Sequence, residues 1–213
     1  MKIKSLLIFL LITNNLFAQS DVASKAILSA LSKKFNTNPI VKVDFSLNIN
    51  NLEAKSKETL TGVLYLKAKS NKYKITFPNQ EIFSDGKNQW TFLKNDNEVQ
   101  LSELSKDDEA LNPAKIFSAY DKGYKSRFIG ESKIGSITYQ NLELAPFANR
   151  PFSKIKMAVD KNKKQLYALA VYGRDGIIYT YTIKKLTPMK TIADSFFVFD
   201  KKAHPGIDFQ DLR

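Results

Sequence analysis

From residue 41 onward the chain alternates. Val41, Val43, Phe45, Leu47 and Ile49 are separated by Lys42, Asp44, Ser46 and Asn48, the period-two pattern of a strand with one dry face. The same reading applies to residues 62–68, 73–77, 89–93, 136–144, 154–160, 165–172, 177–185 and 195–199, so nine short strands are expected. Upstream the period is helical: Ile27, Leu28, Leu31 and Phe35 share one face, Ser20 or Asp21 can cap the start, and Asn38-Pro39 blocks continuation. A second, shorter helix is expected at residues 113–120. There Asn112 can cap, Pro113 suits the first helical position, Ile116, Phe117 and Tyr120 line one side, and Gly123 suits the stop.

The connections are short and polar, as at Lys69-Ser70-Asn71-Lys72, Asp160-Lys161-Asn162-Lys163 and Gly173-Arg174-Asp175-Gly176. Such turns join antiparallel neighbours and leave little room for crossover helices. The fold class is therefore mainly β (α+β): a single curved antiparallel sheet whose concave side is covered by two amphipathic helices. A sheet curved this far either fills its interior with side chains or leaves a ligand cavity, and periodicity does not separate the two outcomes.

The N-terminus follows a different grammar. Lys2 and Lys4 precede an apolar run from Leu6 to Ile12, and Leu16-Phe17-Ala18 places a small residue before Gln19. This is the pattern of a secretory signal peptide over residues 1–18, and the run is short of the roughly 20 apolar residues a membrane span needs. The folded domain is then residues 19–213, exported from the cytoplasm.

Composition removes most chemistry. The 213 residues, 43% of them hydrophobic, can bury one sizeable core. There is no cysteine, and His204 is the only histidine, in a loop-like segment near the C-terminus with no evident partner. Thiolate nucleophiles, disulfide frameworks, zinc clusters and histidine-based triads all lack their parts. No glycine-rich phosphate loop and no Gly-x-Ser-x-Gly elbow occurs, so neither an enzyme nor a resident cofactor is expected. With 33 Lys+Arg against 21 Asp+Glu the formal charge is +12, which favours acidic partners such as phosphate headgroups or nucleic acid. Export and the placing of most aromatics on the dry face argue against nucleic acid.

Three stretches are similar to one family: Thr61-Gly62-Val63-Leu64-Tyr65-Leu66-Lys67; Asn71-Lys72-Tyr73-Lys74-Ile75-Thr76-Phe77-Pro78; and Ser84-Asp85-Gly86-Lys87 with Trp90 following. Together with the Pro-led helix, the Gly-Arg-Asp-Gly hairpin and Phe197-Val198-Phe199 before Pro205-Gly206-Ile207, they resemble the periplasmic lipoprotein carrier family LolA. The resemblance implies an unclosed β-barrel with a helical lid over an apolar cavity. Such a protein is a monomer that takes lipoprotein acyl chains from an inner-membrane transporter and passes them to an outer-membrane acceptor. In that family an arginine follows the lysine of the strand matching residues 64–67 and holds the lid by bonding helix backbone. Here the position is Ala68, with Lys69 next. Tyr73 matches a family aromatic that faces the cavity.

On this reading the cavity wall comprises Val43, Phe45, Leu47, Leu64, Leu66, Tyr73, Ile75, Phe77, Trp90, Phe92, Met157, Tyr179 and Tyr181, with Phe117 and Tyr120 on the lid. Plain core packing is the alternative for each. A second functional class also fits the same scaffold: a periplasmic sensor or adaptor that binds lipoproteins or envelope proteins without transporting them. The signal-peptide reading has a direct check. The protein isolated from the cell envelope is expected to begin at Gln19, and N-terminal sequencing that returns residues upstream of Ala18 refutes it.

Overall fold

The computed structural model describes residues 14–38, 40–104 and 123–213. A helix, α1 (Asn14–Asn36), leads into β1 (Ile40–Asn51), β2 (Ser56–Lys67), β3 (Lys72–Thr76), β4 (Gln80–Ser84), β5 (Asn88–Leu93) and β6 (Glu98–Glu103). Then follow β7 (Tyr124–Ile134), β8 (Ile137–Pro146), β9 (Phe152–Asp160), β10 (Gln165–Gly173), β11 (Ile177–Pro188) and β12 (Asp208–Asp211). All twelve strands form one sheet in the order β12-β6-β5-β4-β3-β2-β1-β11-β10-β9-β8-β7. Its end strands, β12 and β7, do not pair with each other, so the barrel is unclosed. Only β12 runs parallel to its neighbour, β6.

The first helix begins at Asn14, upstream of the cap expected at Ser20 or Asp21. No glycine or proline lies between Asn14 and Asn36 to stop it. Its apolar stripe is buried as expected: Leu28 is 3% and Leu31 4% exposed, with Ile27 and Phe35 beside them. The stripe meets Leu142, Leu144, Ile155, Met157, Val159, Leu169 and Val171 from β8, β9 and β10 in one core. Each such side chain contributes on the order of 1.5–3 kcal/mol on leaving water. One polar contact locks the helix to the sheet. Buried Ser24 donates to the Asp21 carbonyl at 2.9 Å, which leaves Ser126 on β7 to donate to the Ser24 hydroxyl at 2.8 Å.

Four strands were not expected from the sequence. In β4, Ile82 and Phe83 are adjacent apolar residues on opposite faces, so alternation is lost where both faces of the sheet are covered. In β7 the inward position at residue 126 is a serine, and Gly130, at φ 116°, sits where the register shifts. β12 is a short parallel edge strand, and the six-residue β6 lies between it and β5. Conversely, residues 195–199 are not a strand. Asp194–Phe197 form a 3-10 turn, although the alternation is real: Phe197 and Phe199 are buried, while Phe196 and Val198 are exposed. The short helix expected at residues 113–120 lies outside the described residues.

The segment after β11 crosses the convex side of β3–β6 and builds a second core there. Phe199 packs on Phe83 (ring centroids 5.8 Å apart) and on Phe92 (5.4 Å), over Trp90, Val99 and Leu101. His204 belongs to this layer and is no loose tail. Its ring stacks on Phe199 at 4.7 Å and meets Phe92 edge-on at 5.0 Å. The strap is pinned where it starts. Lys67 and Lys72 each donate to a different carboxylate oxygen of Asp194 at 2.7 Å, and these bonds hold its pKa down to about 2.

The Ser84-Asp85-Gly86-Lys87 turn is a structural device. Asp85 Oδ1 accepts the backbone N–H groups of Lys87 and Asn88, both at 2.8 Å. Burial pushes its carboxyl up, but those bonds outweigh it and the pKa is lowered. Gly86 has φ 94°, and a Cβ there would lie 2.5 Å from the Ser70 carbonyl oxygen. Gly86→Ala is expected to cost about 1–3 kcal/mol, read from urea denaturation.

The acid behaviour of the strap has a definite sign. A lowered folded pKa makes the Asp194 contribution fully present above the ordinary carboxylate range and lost as pH falls toward about 2. Asp194→Asn is therefore expected to lower the urea midpoint, followed by Trp90 fluorescence, at neutral pH. The gap to the parent should close between pH 4 and 2, and a gap that stays constant across that range refutes the assignment.

Candidate functional site: the concave apolar face

The pairings align the inward residues in rows. Val43, Phe45 and Leu47 of β1 stand opposite Leu64, Gly62 and Leu60 of β2. On the other side, Leu47 and Ile49 meet Tyr181 and Tyr179 of β11. Leu64 and Leu66 continue into Ile75 and Tyr73 of β3. The face therefore runs unbroken across β3-β2-β1-β11, and its character changes along it. On β8–β10, and at the end of β1–β3 that carries Val41, Val43, Leu64, Leu66 and Tyr73, the side chains are fully buried. Toward the other end of β1–β3, and on β4 and β11, the wall is apolar yet only partly buried, at Ile49, Leu60, Ile75, Phe77, Ile82, Tyr179 and Tyr181.

Gly62 shapes this wall. A Cβ at that position would lie 2.7 Å from Phe45 Cζ and 3.0 Å from Phe77 Cε1, so the missing side chain is the space the two rings occupy. Phe45 and Phe77 meet edge-to-face at 5.7 Å, and Tyr181 extends the aromatic row at 6.1 Å from Phe45. Burial, with Tyr179 adding to it, pushes the Tyr181 phenol up to about 12. It stays neutral throughout the physiological range and puts no charge into the apolar wall. Tyr73 spends its hydroxyl on Gln89 Oε1 at 2.7 Å, which orients its ring within the core.

The sequence-selected residues divide accordingly. Val43, Leu64, Leu66, Tyr73 and Met157 are on the concave side and are fully packed core, each at most 5% exposed. Phe45 and Leu47, both 7% exposed, stand at the boundary between the packed and open regions. Ile75, Phe77, Tyr179 and Tyr181 form the half-buried wall. Trp90 and Phe92 do not join them. Phe83 pairs with Trp90 and Glu81 with Phe92, whereas inward Ile82 pairs with Thr91, so both aromatics face the convex side and are capped by the strap. Phe117 and Tyr120 lie outside the described residues. Ile49, Leu60 and Gly62 belong to the wall and were not selected, although Ile49 continues the β1 alternation.

At the position of the family arginine, Ala68 opens a 3-10 turn (Ala68–Ser70) and rests against the core, while Lys69 is exposed. Neither offers a planar donor fork. What fixes α1 here is its apolar stripe and the Ser24–Ser126 hydroxyl pair.

Residues 36–200 match the model of the family described as outer membrane lipoprotein carrier protein LolA. The chain belongs to the LolA family. Solved structures share the fold at low identity. An uncharacterized conserved protein from Thermus thermophilus superposes with a TM-score of 0.59 at 10% identity, over 89% of this chain and 99% of that one. A DUF1329 family protein from Desulfovibrio piger gives 0.52 at 13%, over 87% and 99%. A domain assigned to outer membrane lipoprotein sorting from Vibrio parahaemolyticus gives 0.50 at 12%, over 86% and 98%. No curated protein matches the chain.

Proposed function

We propose that this LolA-family protein is a periplasmic carrier that holds lipoprotein acyl chains against the half-buried wall of β1–β4 and β11. The signal peptide, residues 1–18, delivers it to the periplasm. An inner-membrane lipoprotein-releasing transporter loads it and an outer-membrane acceptor unloads it. The observation that carries the reading is the change along the concave face, fully buried at Val43, Leu66 and Tyr73 and apolar but only partly buried at Ile49, Leu60, Ile75, Phe77, Tyr179 and Tyr181. Family membership supports the same conclusion. No bond is made or broken in this activity.

The physical need is clear. Exposing acyl chain costs about 0.8 kcal/mol per CH₂, so three long chains face a barrier on the order of 30 kcal/mol on leaving a bilayer unaided. A carrier must match most of that with apolar contact, yet hold its cargo less firmly than the acceptor. A wall of aromatic rings without charge, and with Tyr181 held neutral, gives adaptable and non-directional contact of this kind.

Incubating the purified protein with inner-membrane vesicles bearing a labelled lipoprotein and its transporter is expected to release a soluble one-to-one complex. Binding without release would identify an adaptor and overturn carriage. Gly62→Val is expected to drive the Phe45 and Phe77 rings into the hollow and reduce release on the order of tenfold, at a stability cost of about 1–3 kcal/mol. Native mass spectrometry of the same variant should show correspondingly less lipidated species.

A further inference from the structure

The sheet parts at one end. The β10–β11 ladder runs from Tyr172↔Ile178 to Ala168↔Thr182 and stops. Beyond that point β11 continues only beside β1, with a bulge that leaves Lys184 between the pairs Asp44↔Lys185 and Phe45↔Ile183. β10 continues only beside β9. In the gap opens a cleft of ≈ 370 Å³, lined among others by Tyr139, Tyr167, Lys163, Lys184 and Lys185. A smaller recess of ≈ 40 Å³ adjoins it through Gln165, Leu166 and Leu186 and adds Lys34 and Lys164.

Five exposed lysines thus surround two adjoining openings, and none of them takes part in an ion pair among the described residues. The acid in the cleft, Asp160, has its Oδ1 occupied by the backbone N–H groups of Asn162 and Lys163, both at 2.9 Å. The register places exposed Lys69, Lys87 and Lys133 in or beside turns at this same end. Turns at this end also carry acids, Asp85 beside Lys87 and Asp160 beside Lys161, each with its Oδ1 accepting two backbone N–H groups; turns at the other end have Glu53 beside Lys55, Lys94 beside Asp96 and Arg174 beside Asp175.

An apolar tip sits within the basic end. Ile134 is 56% exposed next to Lys133 at the β7–β8 hairpin, and Ile137 on its far side lines the cleft. Lysines that can reach phosphates around an isoleucine that can enter the headgroup region match an anionic lipid surface. A nucleic acid would leave the isoleucine without a partner. We propose that this end of the sheet docks on an anionic phospholipid bilayer, lipid phosphates lodging among Lys163, Lys184 and Lys185 and Ile134 entering the interface. The proposal is independent of what fills the concave hollow.

Flotation of the envelope-purified protein with phosphatidylcholine vesicles, with and without phosphatidylglycerol, tests it. Binding is expected only to the mixed vesicles and should weaken with salt. The triple change Lys163→Glu, Lys164→Glu, Lys185→Glu should reduce it about 100-fold or more, at roughly fivefold per lysine. Lys55→Glu, Lys57→Glu, Lys125→Glu, the same charge change at the opposite end, should leave it within about threefold, since those groups stand beyond a Debye length of the surface. Ile134→Ser should weaken it several-fold with no charge change. If the reversals disturb folding, seen by circular dichroism, the Lys→Gln triple should give an intermediate loss. Equal loss in both triples, equal binding to neutral vesicles, or no vesicle binding with retention on poly-aspartate or single-stranded DNA each overturns the proposal.

Discussion

The architecture rests on β1. It is hydrogen-bonded along nearly its whole length to β2 on one side and β11 on the other, and so joins the half-sheet β2–β6 with β12 to the half-sheet β7–β11. Because side chains alternate with period two, a slip of one residue in either ladder would turn Val43, Phe45 and Leu47 outward and Lys42, Asp44 and Ser46 inward. Burial of the first set holds the register. The bulge at Asp44/Phe45 lets β11 keep Ile183 and Leu186 inward on either side of an extra residue, and a bulge of this kind increases local twist.

That curvature divides the labour between the two faces. On the concave side the stripe of α1 packs into one core with β8–β10, while Ile49, Leu60, Ile75, Phe77, Tyr179 and Tyr181 stay only partly buried against that core. On the convex side the strap covers β3–β6 with rings and pins itself through Asp194. The two cores have opposite characters. One is continuous with a partly buried apolar wall, and the other is an aromatic layer that keeps the thin outer half of the sheet from exposing both faces.

Much of this was legible in the chain. The helix stripe, eight of the nine expected strands and the antiparallel turns follow from periodicity and turn chemistry, which are local properties. The strand expected at residues 195–199 shows the limit: its buried and exposed positions alternate as read, but its backbone is a 3-10 turn followed by an extended residue, because it crosses the sheet and does not join it. Trp90 and Phe92 show another. They alternate with Gln89, Thr91 and Leu93 as a dry face should, yet the partner that makes that face dry, Phe199, lies more than a hundred residues later in the chain.

Sequence by itself determined which residues alternate, where the chain turns, that one helix is amphipathic, and that there is no cysteine and a single histidine to build thiol or histidine-triad chemistry from. Those are consequences of residue type and near-neighbour spacing. Only the tertiary structure decided which of two alternating sets lies on the concave side, why Gly62 is needed beneath Phe45 and Phe77, and how scattered lysines converge on the gap between β10 and β11. Each depends on strand order and register, and thus on contacts between segments that the linear pattern does not relate to one another.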